Sequence, residues 1–298
     1  MTDAPPLAPP PVQPGLLRSL AWAVLFLGGG FLLMLGLGTG LLYAVAGFDP
    51  VRLHGLLARV WPALVAQAAT GLMVFGVLTW AIGMRALKLT ARDLRWVPWA
   101  AAAPGFVRGL SLGALAAAGT FALSALLGGA RLASDGGASS EYLGALATLL
   151  LSLLPAALLE ELVFRGVVLV TLARFVGRWR AVALVAALFA LAHIRNPNTT
   201  PLGLLNIGLA GVLLGAAFYL PGGIWTAWGA HLGWNATLAA ADAPVSGLPI
   251  RLPLVDYEPG GPAWLTGGAF GPEGGLAASL AIGGAIAVAV RWTRREAT

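Results

Sequence analysis

The stretch LGALATLLLSLLPAALLEELVFR, residues 143–165, stays almost wholly apolar until Glu160, sets Glu161 beside it, and places Arg165 four residues further on. At the centre of a bilayer one charged side chain costs about 3 kcal/mol on insertion scales. Two carboxylates and a guanidinium within six residues of one membrane helix therefore need partners or a task. Two of the three histidines, His193 and His231, also lie in apolar segments.

Composition assigns the class. Hydrophobic residues make up 58% of the 298-residue chain and charged residues 10%, against roughly 25% charged in a soluble domain. The mean hydropathy is +0.84. The absence of Cys excludes disulfides, thiolate metal sites and a cysteine nucleophile. The net charge of +6 is spread over loops, so it speaks for membrane topology and not for nucleic acid.

Apolar runs at about 19–45, 60–84, 107–130, 143–173, 181–196, 202–220, 223–241 and 275–291 predict an all-α polytopic membrane protein, with about eight transmembrane helices in one bundle. Many of the 41 glycines fall in these runs, as in membrane helices that pack closely. Residues 1–15 are proline-rich and read as a disordered tail, with a single transmembrane domain over 16–298. No basic segment opens the chain, so a cleaved signal peptide is not expected. Arg85, Lys88, Arg92, Arg95 and Arg108 face Asp93 alone in one connection, Arg174, Arg178 and Arg180 follow the fourth run, and Arg291, Arg294 and Arg295 end the chain. The segment 242–274 instead holds Asp242, Asp256, Glu258 and Glu273 against Arg251. Eight spans with both termini in the cytoplasm put these basic segments inside and the acidic one outside. The first connection, with Arg52 and Arg59 against Asp49, is the exception.

Three spacings carry chemistry. Glu161 and Arg165 stand four apart with the acid first, the favourable order for an ion pair along a helix. Glu160 lies about 100° round the helix from Glu161, which leaves it the freer carboxylate and the candidate general base. Phe189 and His193 share a helix face, as do His231 and Asn235. At ~1.5 Å per residue, Glu160, His193 and His231 fall roughly 20, 18 and 12 Å from the inner edge, so a carboxylate, two imidazoles and an amide can meet at one level, open towards the cytoplasm.

Glu-Glu-x-x-x-Arg, Phe-x-x-x-His and His-x-x-x-Asn, each in its own hydrophobic segment, resemble the CPBP family over about residues 143–241: the type II CAAX prenyl proteases and bacteriocin-processing intramembrane proteases, also called the Abi family. The resemblance implies an intramembrane glutamate-type endopeptidase. Glu160 with His193 would activate a water, His231 and Asn235 would stabilise the oxyanion, and Glu161 with Arg165, beside Phe189, would hold the site in shape. It implies a membrane-associated protein or peptide as substrate within the lipid bilayer, and no cofactor. Zinc is the nearest alternative, because Glu and His are zinc ligands, although no His-Glu-x-x-His is present. A non-enzymatic transporter or bacteriocin-immunity protein is another, since intramembrane acids serve those roles too. Gly109-Leu-Ser-Leu-Gly113 matches a serine-nucleophile pattern but lacks its strand-to-helix setting, so helix packing is expected there. Frequent Ala, Gly, Leu and Arg point to a prokaryotic source and the inner (plasma) membrane.

Overall fold

The computed structural model describes residues 15–57 and 60–295. Apart from Gly15, the expected tail lies outside the described residues, as do Arg59 and residues 296–298.

The fold is all-α. The helices are α1 (Leu16–Val45), α2 (Pro50–Leu57), α3 (Val60–Leu78, continued by a wider π-helical stretch, Thr79–Ala86), α4 (Trp99–Gly128), α5 (Ser139–Val176), α6 (Arg178–Ala192), α7 (Pro201–Phe218), α8 (Ile224–Ala240), the single turn α9 (Ala263–Thr266) and α10 (Leu276–Arg295). Six of them are long and apolar enough to cross a membrane: α1, α3, α4, α5, α7 and α10. Helices α6 and α8, of 15 and 17 residues, rise only ~22–26 Å, short of a ~30 Å hydrocarbon core. These two carry the site histidines. The sequence expectation contained no sheet, yet a two-stranded antiparallel ribbon pairs β1 (Arg131–Ala133) with β2 (Asp256–Glu258).

Large apolar side chains such as Leu115, Leu126 and Leu151 point outward, 72–81% exposed, as a lipid-facing surface requires. Inside, close approach replaces bulk. Helices α4 and α8 run parallel, with Gly105, Gly109 and Gly113 meeting the backbone from Pro221 to Trp234, and Gly229 and Gly233 meeting that of Phe106 and Leu110. The four-residue spacing of small residues is what allows such contact. It also accounts for the Gly109–Gly113 pattern: Ser111 Oγ donates to the Val107 carbonyl at 3.0 Å on an exposed face. Helix α4 starts at Trp99 rather than near 107, so Arg108 is helical and its guanidinium lies over the Trp292 ring.

Interactions between connections define two ends of the bundle. At one end Arg95 donates to the Tyr219 and Leu220 carbonyls, and Arg174 pairs with Asp93 at 3.4 Å. Partial burial works against ionisation of Asp93, but the Thr90 N–H and hydroxyl together with Arg174 hold its carboxyl below the usual range. At the other end Arg131 pairs with Glu258 at 2.6 Å, Asp135 accepts from the Leu254 N–H, and Asn198 donates to the Ala269 carbonyl. The first is the arginine-rich end and the second the acidic end.

Candidate active site

Helix α5 is regular through Glu161 and then widens into a π-helical stretch, Leu162–Val168, with non-helical torsion angles at Gly166 (φ −77°, ψ −115°). Such bulges recur at functional sites. Arg165 Nη1 reaches Glu161 Oε1 at 3.2 Å, with both side chains fully buried. Arg165 Nη2 donates to the Gly211 carbonyl at 3.3 Å. The guanidinium stands 4.5 Å from the centre of the Phe189 ring, whose centre lies 4.6 Å from that of the His193 imidazole. Phe189 is thus packed between the buried cation and the histidine.

Glu161 has a second partner that spacing did not reveal. His231 Nδ1 lies 2.8 Å from the same Oε1. That Oε1 already accepts from Arg165, so His231 donates to it from Nδ1 and directs Nε2 the other way. Nε2 of His231 faces Glu160 Oε2 at 3.7 Å.

His193 caps the C-terminus of α6 (φ −98°, ψ 3°) instead of lying inside a span that reaches 196. Its Nδ1 is 2.8 Å from the Phe189 carbonyl oxygen. A carbonyl has no proton to give, so Nδ1 donates and Nε2 of the neutral ring is an acceptor. Nε2 of His193 lies 3.8 Å from Glu160 Oε2. One carboxylate oxygen therefore stands between two imidazole Nε2 atoms, too far from either for a direct hydrogen bond. That Oε2 is buried and has no hydrogen-bond partner within the protein.

These groups form the polar side of a cavity of about 250 Å³, which Asn235, Asn196, Ser246 and Gln67 also line. Phe31, Met34, Leu64, Leu153 and Val163 make its apolar wall. All four residues expected to carry chemistry, Glu160, His193, His231 and Asn235, line this one cavity. The supporting Glu161, Arg165 and Phe189 lie behind it. The expected opening towards the arginine-rich end finds no support in the lining. Val245, Ser246 and Leu248 come from the acidic-end connection, and Asn196 from the turn after α6. The depths inferred from sequence assumed that His193 lies within a helix; it lies at the acidic-end terminus of a short one. Among the described residues, no group of three or more His, Cys, Asp or Glu side chains is arranged to hold a metal ion.

Glu273 belongs to the same neighbourhood, although its sequence position suggests only an outer acidic loop. It is 5% exposed. It accepts from Trp234 Nε1 at 2.9 Å and from the Ser246 backbone N–H. Burial pushes its carboxyl up from the ordinary range, against these two donors. Ser246 is held from the other side too, its carbonyl accepting from Asn196 Nδ2 at 2.8 Å. No residue near Glu273 in sequence signals these contacts, whose partners lie 27 and 39 positions away.

An apolar helical bundle with carboxylates and imidazoles gathered in its interior, built on helices able to cross a bilayer, is a multi-pass membrane protein with an internal polar site. Residues 142–237 match the family described as type II CAAX prenyl endopeptidase Rce1-like, and over that segment the chain is similar to the CAAX/CPBP intramembrane proteases. The family is one of peptide hydrolases. The segment contains all three motifs, whereas α1–α4, Glu273 and α10 lie outside it. No curated protein and no solved structure shows a match to the chain.

Proposed function

We propose that the chain is a glutamate-type intramembrane endopeptidase in which Glu160 and His193 activate the attacking water. The supporting observation is the 3.8 Å gap between Glu160 Oε2 and His193 Nε2. Both atoms are acceptors, so a molecule that donates to each reconciles them, and a water spans such a gap with two ordinary hydrogen bonds.

The proton of that water passes to the Glu160–His193 pair as its oxygen attacks the peptide carbonyl carbon. The carbonyl oxygen becomes the oxyanion, which accepts from His231 Nε2–H when that ring is protonated at both nitrogens, and from the Asn235 carboxamide. Collapse of the tetrahedral intermediate breaks the C–N bond, and the acquired proton goes to the leaving amine. Glu161, paired with Arg165, orients His231 through Nδ1, so its role is to position the donor rather than to hold the helix alone. The substrate is a membrane-associated protein or peptide. The chain sits in the plasma (inner) membrane of a prokaryote with both termini and the arginine-rich end in the cytoplasm, as the distribution of basic residues indicates.

Comparison of membrane proteomes from cells carrying the protein or its Glu160→Gln variant tests the reading. New termini should appear only with the unaltered protein; identical termini in both would sink it. Metal dependence is decided on purified active protein, which should retain turnover after chelation and hold no stoichiometric zinc. Recovery of chelated enzyme by zinc, with metal lost in His193→Ala and His231→Ala, would make the histidines ligands instead.

A further inference from the structure

We infer that the cavity opens to the non-cytoplasmic side of the membrane and takes the outer juxtamembrane segment of a membrane-anchored protein. The inference rests on the peptidase reading for its chemistry and on the two ends of the bundle for its direction.

The connections that line the cavity belong to the acidic end, while His231, Val163 and Phe164 reach it from mid-helix. Asn196, Val245, Ser246 and Leu248 come from connections at that end. Leu64 and Gln67 lie in the first turns of α3, the end of that helix farther from Arg85. No cavity-lining residue comes from 87–98, 177–180 or 219–223, the connections of the arginine-rich end. That end is closed over the site by packing: Arg165, Val167 and Val168 are completely or almost completely buried, and Arg95 and Arg174 tie the connections together beyond them.

Charge supplies the direction. Basic residues of short connections stay in the cytoplasm. Arg85, Lys88, Arg92 and Arg95, with Arg174, Arg178 and Arg180, flank one end, whereas Asp135, Asp242, Asp256 and Glu258 mark the other. If the arginine-rich end is inside, the cavity faces out.

The lining gives the substrate class. A peptide bond can be attacked only on an unwound backbone, and bare backbone polar groups are tolerated at membrane depth only where protein or a polar cavity surrounds them. Gln67, Asn196 and Ser246 offer such partners beside the glutamate and imidazoles, and Phe31, Met34 and Leu153 accept apolar side chains from the end of an anchor. A protein that presents its cleavage site only on the cytoplasmic face does not reach this cavity.

The chain contains no cysteine, so single-cysteine labelling reads the geometry without background. Ser134→Cys probes the acidic end, Leu248→Cys the cavity and Arg92→Cys the opposite end. In intact cells a membrane-impermeant maleimide should label the first two, while Arg92→Cys reacts only after permeabilisation. Labelling of Arg92→Cys with protection of Ser134→Cys would reverse the orientation and overturn the inference. So would labelling of Leu248→Cys only after permeabilisation while Ser134→Cys reacts in intact cells. Termini that depend on Glu160 should map to outer segments, and a majority on cytoplasmic tails would also overturn it. Labelling needs no turnover, so loss of the peptidase reading would show as unchanged termini in the Glu160→Gln comparison with the expected labelling intact.

Discussion

Glu160 and Glu161 are neighbours in sequence with opposite circumstances. Glu161 is fully buried and shared between Arg165 and His231. Glu160 Oε2 has no hydrogen-bond partner within the protein and faces the cavity. Glu160→Gln should therefore leave the melting temperature unchanged and lower turnover about 100- to 10,000-fold, the scale of a lost general base. Glu161→Gln leaves a buried guanidinium without its counter-charge, which costs about 3–5 kcal/mol, so both stability and turnover should fall. Thermal unfolding in detergent, read beside peptide cleavage, separates the two; equal losses of stability would contradict the division. Its sequence basis was the i, i+4 order of Glu161 and Arg165. The His231 contact was not legible, because it joins residues 70 apart through the packing of α5 against α8. Glu273 was hidden for the same reason. Glu273→Ala strands the Trp234 and Ser246 donors at about 1–3 kcal/mol and frees Trp234, the chain neighbour of Asn235, and Ser246, which lines the cavity with it. Turnover should drop while Trp234→Phe, which keeps the Ser246 contact, retains more of it. Equal turnover in Glu273→Ala and the unaltered protein would remove Glu273 from the site's support.

At the scale of elements, hydropathy located every long helix, while ends were less legible. Helix α4 was expected to begin near 107 because Arg108 counted as a loop charge. Its guanidinium lies over Trp292, so the long side chain carries its charge along the helix surface and lets the helix extend back to Pro98. The end of α6 was placed at 196 on hydropathy, but the chain turns at His193, where the Phe189 carbonyl is satisfied by the imidazole instead of a continued helix. The mutual approach of α4 and α8 provides the test. A Cβ on Gly109 would run into the Thr226 carbonyl and the Ala230 nitrogen, both backbone, whereas one on Gly119 would sit 3.7 Å from the Ala281 methyl. Gly109→Ala should force the helices apart and cost at least about 1–3 kcal/mol, the usual range for overpacking. It should also depress turnover, since α8 carries His231 and Asn235. Gly119→Ala should be tolerated in both thermal unfolding and cleavage. A Gly109→Ala protein as stable as Gly119→Ala would mean that the α4–α8 contact does not limit the fold.

The whole molecule is polarised, with cations collected at one end and carboxylates at the other, and the acidic end carries a proton-linked cost. Asp242 follows α8 in the left-handed region (φ 56°). Burial pushes its carboxyl up to about 6, with Asp256 and Asp135 adding to the shift while the Leu252 N–H and Arg251 oppose it. A carboxyl raised in the folded state contributes stability that is fully present below its unfolded value, near 3.8, and lost as pH rises through about 6. At neutral pH the folded protein thus holds a charge that its surroundings disfavour. Asn in its place keeps an oxygen for the Leu252 N–H, now at 2.6 Å, and suits the left-handed backbone, but has no proton to lose. The melting temperature of Asp242→Asn relative to the unaltered protein should therefore rise between about pH 4 and pH 6 and level off above that. Other titrating groups contribute to both proteins and cancel in the difference. A difference that stays flat over that range, or falls with rising pH, would show that the acidic end does not hold Asp242 as described. Asp242 does not line the cavity that holds Glu160, His193, His231 and Asn235, so turnover at a fixed temperature should follow stability alone, without a new pH optimum.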